Sequence, residues 1–202
     1  MSLTGDNGSP LMGESKMSFD PMTVTWRLWT LWAVAFVAFP LAGVMAQAAT
    51  GGISDAGRAL IGGMIVGATL GAAQFLVLRS VLPLTPLWIV ASSLGLGAGL
   101  VVATHWLGTA TDGNALLWRA LIAGAGLAIA QYLLLRPVLA WSEIWLVTVT
   151  LGWVVGWFIT RAVGVDLAPK WANFGAAGAI TFQALTGIAL FVMLRLSVLV
   201  VR

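Results

Sequence analysis

The apolar positions of this chain are gathered into six runs of about 20 residues, the length that a helix needs to cross the hydrocarbon layer of a bilayer. The runs are continuous, whereas a membrane barrel would alternate apolar and polar positions with a period of two. We therefore predict an all-α integral membrane protein with six transmembrane helices. The predicted spans cover approximately Trp26–Ala49, Arg58–Leu78, Pro86–Gly108, Leu117–Leu135, Ile144–Val163 and Asn173–Leu194.

Polar residues are concentrated in the first part of the chain and in short connections. Residues 1–22 mix Ser, Gly, Asp, Glu and Pro, which is typical of a polar, poorly ordered tail. No connection is long enough to hold a soluble domain, so residues 23–202 are predicted to form a single six-helix transmembrane domain. Pro40 falls inside the first run and predicts a kink there, since proline removes a helical hydrogen bond.

An internal repeat organises the apolar runs. Residues Gly71–Arg79 (GAAQFLVLR) return as Ala128–Arg136 (AIAQYLLLR), 57 residues later, and a weaker copy, Gly187–Arg195 (GIALFVMLR), follows after 59 more. Trp32, Trp88 and Trp145 recur near the start of the odd-numbered runs at separations of 56 and 57. Parallel repeats of an even number of spans are related by an axis along the membrane normal.

We therefore expect three parallel two-helix repeats around a pseudo-threefold axis. The repeats would cover approximately residues 26–79, 86–136 and 143–195. One detail departs from the common period. Arg58-Ala-Leu-Ile matches Arg119-Ala-Leu-Ile at a separation of 61 residues, which predicts that the second span is one helical turn longer than the fourth.

Charge suggests an orientation for these spans. Six basic residues fall on the side of the chain termini (Lys16, Arg27, Arg79, Arg136, Arg195 and Arg202) and four on the opposite side (Arg58, Arg119, Arg161 and Lys170). Because positive charge favours the cytoplasmic side, both termini are predicted to be cytoplasmic. Tryptophans near the run ends predict an aromatic belt at each membrane interface. The belt would contain Trp26, Trp29, Trp88, Trp141 and Trp145 on one side and Trp106, Trp118, Trp157 and Trp171 on the other.

Composition excludes several classes of function. Apolar residues make up 60% of the chain and charged residues 8%, which is wrong for a soluble domain. The formal charge of +3 is spread along the chain without a basic cluster, so no nucleic-acid partner is expected. The sequence contains no cysteine and no paired carboxylates or catalytic motif, so we predict neither catalytic residues nor a metal site.

Small residues and three glutamines are the candidate functional positions inside the spans. Glycines separated by four residues allow close helix contact in lipid and predict packing faces. These are Gly63, Gly67 and Gly71, Gly95 and Gly99, and Gly152 and Gly156. Gln74 and Gln131 precede the repeat arginines Arg79 and Arg136 by five residues, and Gln183 lies deeper in the last span.

Two interpretations of the glutamines remain open. An intramembrane amide is costly to bury unless it forms a hydrogen bond, so these side chains would join neighbouring helices. Alternatively, they would line a polar ring around a pseudo-threefold pore. The third repeat has Leu190 at the equivalent position, followed by its own terminal arginine, Arg195. A leucine in that ring would make a poor filter.

His105 is the only histidine and lies near the outer end of the third run, beside Trp106. It is a candidate ligand for a haem or another pigment. A lone histidine without a second ligand at suitable spacing more often forms an ordinary hydrogen bond. The sequence thus requires no cofactor, although lipid or pigment would be compatible with it.

The repeated motif resembles that of a group of uncharacterised bacterial multi-pass membrane proteins built from Ala-Gln-(Trp/Phe/Tyr)-Leu-x-Leu-Arg helix-pair units. The resemblance covers approximately Arg58–Arg195 and is good at Gln74–Arg79 and Gln131–Arg136, but it departs at Leu190. It implies the fold and a location in the bacterial inner membrane, and it implies no activity.

These observations favour a non-enzymatic membrane protein that acts as a structural or accessory subunit in the assembly of a complex. Its partners would be the lipid bilayer and either other membrane subunits or further copies of itself. The first alternative is a small-solute transporter or channel through the helix bundle, with Pro40 and the glutamines as its moving or polar parts. A weaker alternative is a pigment- or haem-binding accessory protein that uses His105.

Overall fold

The structure is a computed structural model that describes residues 21–110, 112–165 and 175–200. Within these residues the chain is all-helical, and six helices are long and apolar enough to cross a membrane. The prediction of six spans in a multi-pass membrane protein is therefore confirmed. The helices are α1 (Pro21–Val34), α2 (Ala38–Thr50), α3 (Ala56–Leu78), α4 (Leu87–Leu107), α5 (Gly113–Leu135), α6 (Glu143–Ala162) and α7 (Ala176–Val200). Most of the predicted polar tail lies outside the described residues, and its last two residues begin α1.

The first span is made of two helices. A 3-10 segment, Ala35–Val37, separates α1 from α2. Its cause lies one turn later, because Pro40 has no backbone N–H and its ring crowds the carbonyl four residues earlier, that of Phe36. The irregularity predicted at Pro40 is thus present as a change of helix type just before the proline.

Aspartate caps start the second and fourth spans in the same way. The Asp55 carboxylate accepts a hydrogen bond from the Arg58 backbone N–H at 2.9 Å, and the Asp112 carboxylate accepts one from Ala115 N–H at 3.2 Å. Such caps satisfy backbone donors that the first helical turn leaves free. Both helices contain 23 residues, so the prediction that the second span is one turn longer was wrong. The caps keep the 57-residue period, and Arg119 simply lies one turn deeper in its helix than Arg58 does.

The six spans form a closed ring. Each span packs against the next one along the chain, and the first span also contacts α7. Because the connections are short, successive spans run in opposite directions, and α1 begins at the end of the bundle where α7 finishes. We call this the terminal end. The contact between the first and last spans is the least extensive of the six.

The outside of the ring is apolar, as contact with lipid requires. Exposed large side chains occur on every span; examples are Leu41, Leu76, Leu94, Ile129, Val147 and Ile180. Tryptophan is divided between the two environments. Trp26, Trp106, Trp118 and Trp141 are exposed, in agreement with interfacial positions, whereas Trp88, Trp145 and Trp157 are buried. The assignment of these last three to an aromatic belt was wrong, because closeness to a helix end does not determine which face of the helix a side chain occupies.

Candidate functional site

Three tryptophans meet inside the ring near its terminal end. Trp32 from α1, Trp88 from α4 and Trp145 from α6 are each no more than 1% exposed. The Trp145 ring centroid lies 5.9 Å from that of Trp32 and 6.2 Å from that of Trp88, with interplanar angles of 73° and 57°. Since they come from the first, third and fifth spans, their contact has to lie inside the ring. We call these three residues the tryptophan layer.

A second group of aromatic rings lies deeper in the bundle. Phe182 packs edge-on against Phe39 at 5.6 Å and against Trp153 at 5.5 Å, measured between ring centroids. All three side chains are fully buried. This second aromatic layer joins the first, fifth and sixth spans. Buried rings therefore occupy the interior at two levels.

Gln131 is the centre of a buried polar cluster beside the tryptophan layer. Its side-chain Nε2 donates to Gln74 Oε1 at 2.8 Å and to Ser92 Oγ at 2.9 Å, while its Oε1 accepts from Trp145 Nε1 at 2.9 Å. An indole N–H can only donate, so Trp145 determines which end of the Gln131 amide is the oxygen. These three bonds join α5 to α3, α4 and α6, which ties four successive spans together.

Gln183 forms a separate connection between the last and first spans. Its side-chain Nε2 donates to the backbone carbonyl of Trp32, and the Trp32 indole Nε1 donates to the backbone carbonyl of Gln183 at 3.0 Å. Each residue thus binds the main chain of the other. The Trp32 carbonyl lies just before the 3-10 segment, at the irregular part of the first span.

The three glutamines therefore do not lie in one symmetric ring. Gln74 and Gln131 are bonded to each other, whereas Gln183 contacts the first span. Leu190, which occupies the equivalent position in the third copy of the motif, is buried at 2% exposure. The polar cluster is consequently asymmetric, and its hydrogen bonds are made within the protein.

Several of the predicted packing glycines lie where helix backbones come closest. A methyl group added at Gly67 would lie 2.3 Å from the carbonyl oxygen of Ser92, and one at Gly63 would lie 2.8 Å from Cα of Gly97. Gly95 faces Gly126 and Gly99 faces Ala123 in the same manner. At the remaining positions, Gly71 lies against Ser92, Gly152 against the Phe182 ring, and the Gly156 carbonyl against Gly178.

Arg119 is a buried charged residue that the sequence analysis placed at the outer side and did not recognise as buried. It is only 6% exposed, about 9 Å along α5 from its first residue. Its guanidinium donates to the backbone carbonyls of Gly108 at 2.7 Å and Ala110 at 3.2 Å, and to Thr104 Oγ1 at 3.3 Å. These acceptors belong to the last turn of α4 and the residues that follow it. A cation at this position also complements the helix dipole.

The repeat arginines occupy the terminal end of the bundle with a shared local arrangement. Arg79, Arg136 and Arg195 are exposed, and each follows an aromatic residue by four positions. The Arg79 guanidinium lies 5.8 Å from the Phe75 ring centroid, and that of Arg195 lies 5.1 Å from the Phe191 ring centroid. Tyr132, the aromatic partner position in the second repeat, instead donates its hydroxyl to Glu143 at 3.3 Å.

His105 is exposed in the last turn of α4, next to the exposed Trp106. Among the described residues, no group of three or more His, Cys, Asp or Glu side chains is placed to hold a metal ion. The structure thus puts the candidate ligand on the surface of the bundle, apart from the tryptophan layer and the polar cluster.

Searches against known protein families, curated proteins and solved structures return no match to this chain. The site is therefore defined by its own geometry. Sequence reasoning singled out Gln74, Gln131 and Gln183, but it missed Ser92 and placed Trp145 at the membrane interface. The 57-residue separation of Trp88 and Trp145 was the available indication that these residues share an environment.

Proposed function

We propose that the chain is a non-enzymatic integral membrane protein that acts as a structural or accessory subunit in the assembly of a complex. The observation that carries this proposal is that the glutamine side chains in the bundle interior, Gln74, Gln131 and Gln183, form hydrogen bonds with the protein itself. The side-chain nitrogen of Gln131 donates to Gln74 and Ser92, and its side-chain oxygen accepts from Trp145. A pathway for solutes needs polar groups that face water, whereas a scaffold needs a rigid interior.

Aromatic packing supports the same proposal. The tryptophan layer and the second aromatic layer place large, buried rings at two levels of the interior. In lipid, association between helices depends on close packing and on interhelical hydrogen bonds. An interior that is rigid in this way leaves the apolar outer faces of the six spans available for lipid and for partner subunits or further copies of the chain.

We further propose that the six spans are three parallel helix pairs around a pseudo-threefold axis. Trp32, Trp88 and Trp145 hold equivalent positions in the repeats and meet inside the ring. Asp55 and Asp112, which are 57 residues apart, cap equivalent helices. The third pair is the most divergent, with Leu190 in place of the glutamine.

The proposed location is the bacterial inner membrane, with both termini in the cytoplasm. Exposed arginines at the terminal end, Arg79, Arg136 and Arg195, support this orientation through the preference of basic residues for the cytoplasmic side. The bacterial assignment rests on the resemblance of the repeated motif. Labelling of single cysteines introduced near each terminus, in intact cells and in inverted vesicles, tests the orientation.

Reconstitution tests the proposed function. Purified protein is placed in liposomes, and the flux of water, ions and small neutral solutes is compared with that of protein-free liposomes. We expect equal flux, together with partner subunits or higher oligomers in cross-linked membranes. A monodisperse, unassociated particle that passes a solute at a saturable rate would contradict the scaffold proposal.

A transporter is the second candidate, and one observation favours it. The first span is interrupted at Ala35–Val37, and Gln183 contacts the Trp32 carbonyl beside the interruption. Interrupted helices next to polar side chains are a recurring feature of transporter binding sites. Pro40→Ala distinguishes the two functions, since it would change solute flux in a transporter and only thermal stability in a scaffold.

The third proposal, a pigment-binding accessory protein, depends on His105. Because this side chain is exposed on α4, ligation would place the pigment outside the bundle, in contact with lipid. An absorption spectrum of the purified protein tests this directly. A visible band that disappears in His105→Ala would support ligation, and a colourless preparation would exclude it.

A further inference from the structure

A shallow apolar crevice lies between the first and last spans, at the least extensive contact of the ring. Its walls are Leu28, Trp29, Trp32, Gly187, Leu190 and Phe191. Trp29 and Phe191 are both half-buried, with ring centroids 6.5 Å apart and planes inclined by 44°. The crevice is therefore a largely aromatic surface, and because Trp29 and Phe191 are part-exposed, lipid chains would contact them in a membrane.

The crevice coincides with a difference between the repeats. Gly71 and Gly187 hold equivalent positions in the repeated motif. A methyl group added at Gly71 would meet Ser92 at 2.7 Å and the Ile89 backbone at 3.2 Å, because α4 packs closely there. At Gly187 the nearest atoms belong only to indole rings, Trp29 Cζ3 and Trp32 Cδ1, both at 2.9 Å. Side chains rather than a neighbouring backbone border this glycine.

A positive charge lies at the end of the crevice. Arg195 is exposed one turn beyond Phe191, and its guanidinium lies 5.1 Å from the centroid of that ring. The aromatic ring holds the guanidinium in place, while its N–H groups stay available to phosphate oxygens. Arg195 is the repeat equivalent of Arg79 and Arg136, which directly follow the last residues of α3 and α5, so it lies near the terminal end of the bundle, where basic residues meet lipid headgroups.

We propose that this crevice binds one acidic phospholipid. The acyl chain packs against Trp29 and Phe191, and the anionic headgroup is bound by Arg195. Charge complementarity favours an acidic lipid over a zwitterionic one, since the residues that line the crevice are all uncharged and the cation beside its Phe191 wall is Arg195. The lipid would add contacts between the first and last spans, where the contact within the ring is least extensive. This site does not depend on the proposed scaffold function.

Native mass spectrometry of the full chain in mild detergent tests the site. The protein is titrated with phosphatidylglycerol and with phosphatidylcholine of the same acyl chains. We expect one molecule of phosphatidylglycerol to bind more tightly than phosphatidylcholine. Arg195→Gln should weaken phosphatidylglycerol binding roughly five-fold and leave phosphatidylcholine binding unchanged. This side chain is exposed, so the variant is expected to fold, and its melting temperature verifies that.

Arg79→Gln is the matched control. Arg79 also lies over an aromatic ring at the terminal end, but its junction is closed by the tight contact of Gly71 with α4. The control should retain wild-type binding of the first phosphatidylglycerol molecule. Phe191→Ala, which removes one aromatic wall of the crevice, should weaken the binding of both lipids.

Three results would overturn the proposal. The first is equal binding of the two lipids by the wild-type protein. The second is an equal loss in Arg79→Gln and Arg195→Gln, which would indicate a diffuse attraction to the basic face. The third is a lipid-free dimer that Phe191→Ala dissociates, since a second copy would then occupy the crevice.

Discussion

Replacement of Gln131 by leucine should destabilise the bundle more than the same replacement of Gln74. Gln131 makes three side-chain hydrogen bonds, to Gln74, Ser92 and Trp145, whereas the described contacts of Gln74 include only the one that it shares with Gln131. Leucine has a similar volume to glutamine, so the packing of the site is approximately retained. The comparison therefore isolates the polar contacts.

The magnitude follows from the number of bonds lost. Interhelical hydrogen bonds in membranes average about 0.6 kcal/mol and reach about 1.7 kcal/mol. Three such bonds give about 2 kcal/mol, and the buried Trp145 N–H that is left without its acceptor adds about 1 kcal/mol or more. We expect Gln131→Leu to lower the free energy of unfolding by about 2–4 kcal/mol. Gln74→Leu should cost about 0.6–1.7 kcal/mol, since Gln131 keeps its bonds to Ser92 and Trp145.

Unfolding in mixed micelles with increasing sodium dodecyl sulfate, followed by far-ultraviolet circular dichroism, measures these values where refolding is reversible. In the double variant the shared bond is lost only once, so its cost should fall below the sum of the single costs by about 0.6–1.7 kcal/mol. Equal costs for the two single variants would refute the central role of Gln131. A cost of Gln131→Leu below about 0.5 kcal/mol, the usual range for an unimportant position, would refute it as well.

Three further predictions follow from single contacts. Trp145→Phe removes the indole donor and should lower the free energy of unfolding by about 1 kcal/mol more than Trp88→Phe does, because Trp88 Nε1 has no hydrogen-bond partner among the described residues. Equal losses in the same unfolding assay would contradict this. Arg119→Lys should lower the free energy of unfolding by about 1–3 kcal/mol, since one ammonium group cannot replace the guanidinium that binds Gly108, Ala110 and Thr104. The exposed control, Arg58→Lys, should change it by less than about 0.5 kcal/mol. The hydrogen bond from the Arg58 backbone N–H, followed by that from the Ser54 hydroxyl, lowers the pKa of Asp55 below its ordinary 3.8, so this cap should stabilise the fold above pH 3.8 and lose its contribution as the pH falls through the lowered pKa. An NMR titration of the Asp55 carboxyl with a midpoint at or above 3.8 would contradict the cap.

The positions of the spans along the chain could be predicted from sequence, because the thickness of the bilayer dictates the length of each apolar run. The burial of Gln74 and Gln131 could be predicted too, since an amide in hydrocarbon needs a partner. Close helix contacts at Gly63 and Gly67 could be predicted as well, because helices in lipid gain no hydrophobic energy from associating and depend instead on close packing at small residues.

The rotation of each helix about its axis could not be predicted. In a soluble protein, the division between apolar and polar faces reports that rotation, but a membrane helix is apolar on both its lipid-facing and its protein-facing sides. Trp88 and Trp145 were consequently placed at the membrane interface, although both lie in the interior. The burial of Arg119 was missed for the same reason. Two of its three acceptors are backbone carbonyls, which leave no signature in the sequence.

The central claim is that the tryptophan layer and the Gln131 cluster fill the interior of the ring and exclude water from it. Hydrogen–deuterium exchange of the indole N–H groups, observed by NMR on protein labelled with ¹⁵N-tryptophan in micelles, tests this claim most directly. Resonances are assigned with single tryptophan-to-phenylalanine variants, and the exposed Trp106 serves as the internal reference for rapid exchange. We predict that the Trp32 and Trp145 indole protons, which are bonded to Gln183 and Gln131, exchange far more slowly than that of Trp106. Exchange of the Trp145 proton as fast as that of Trp106 would show that water reaches the interior, and would contradict the account.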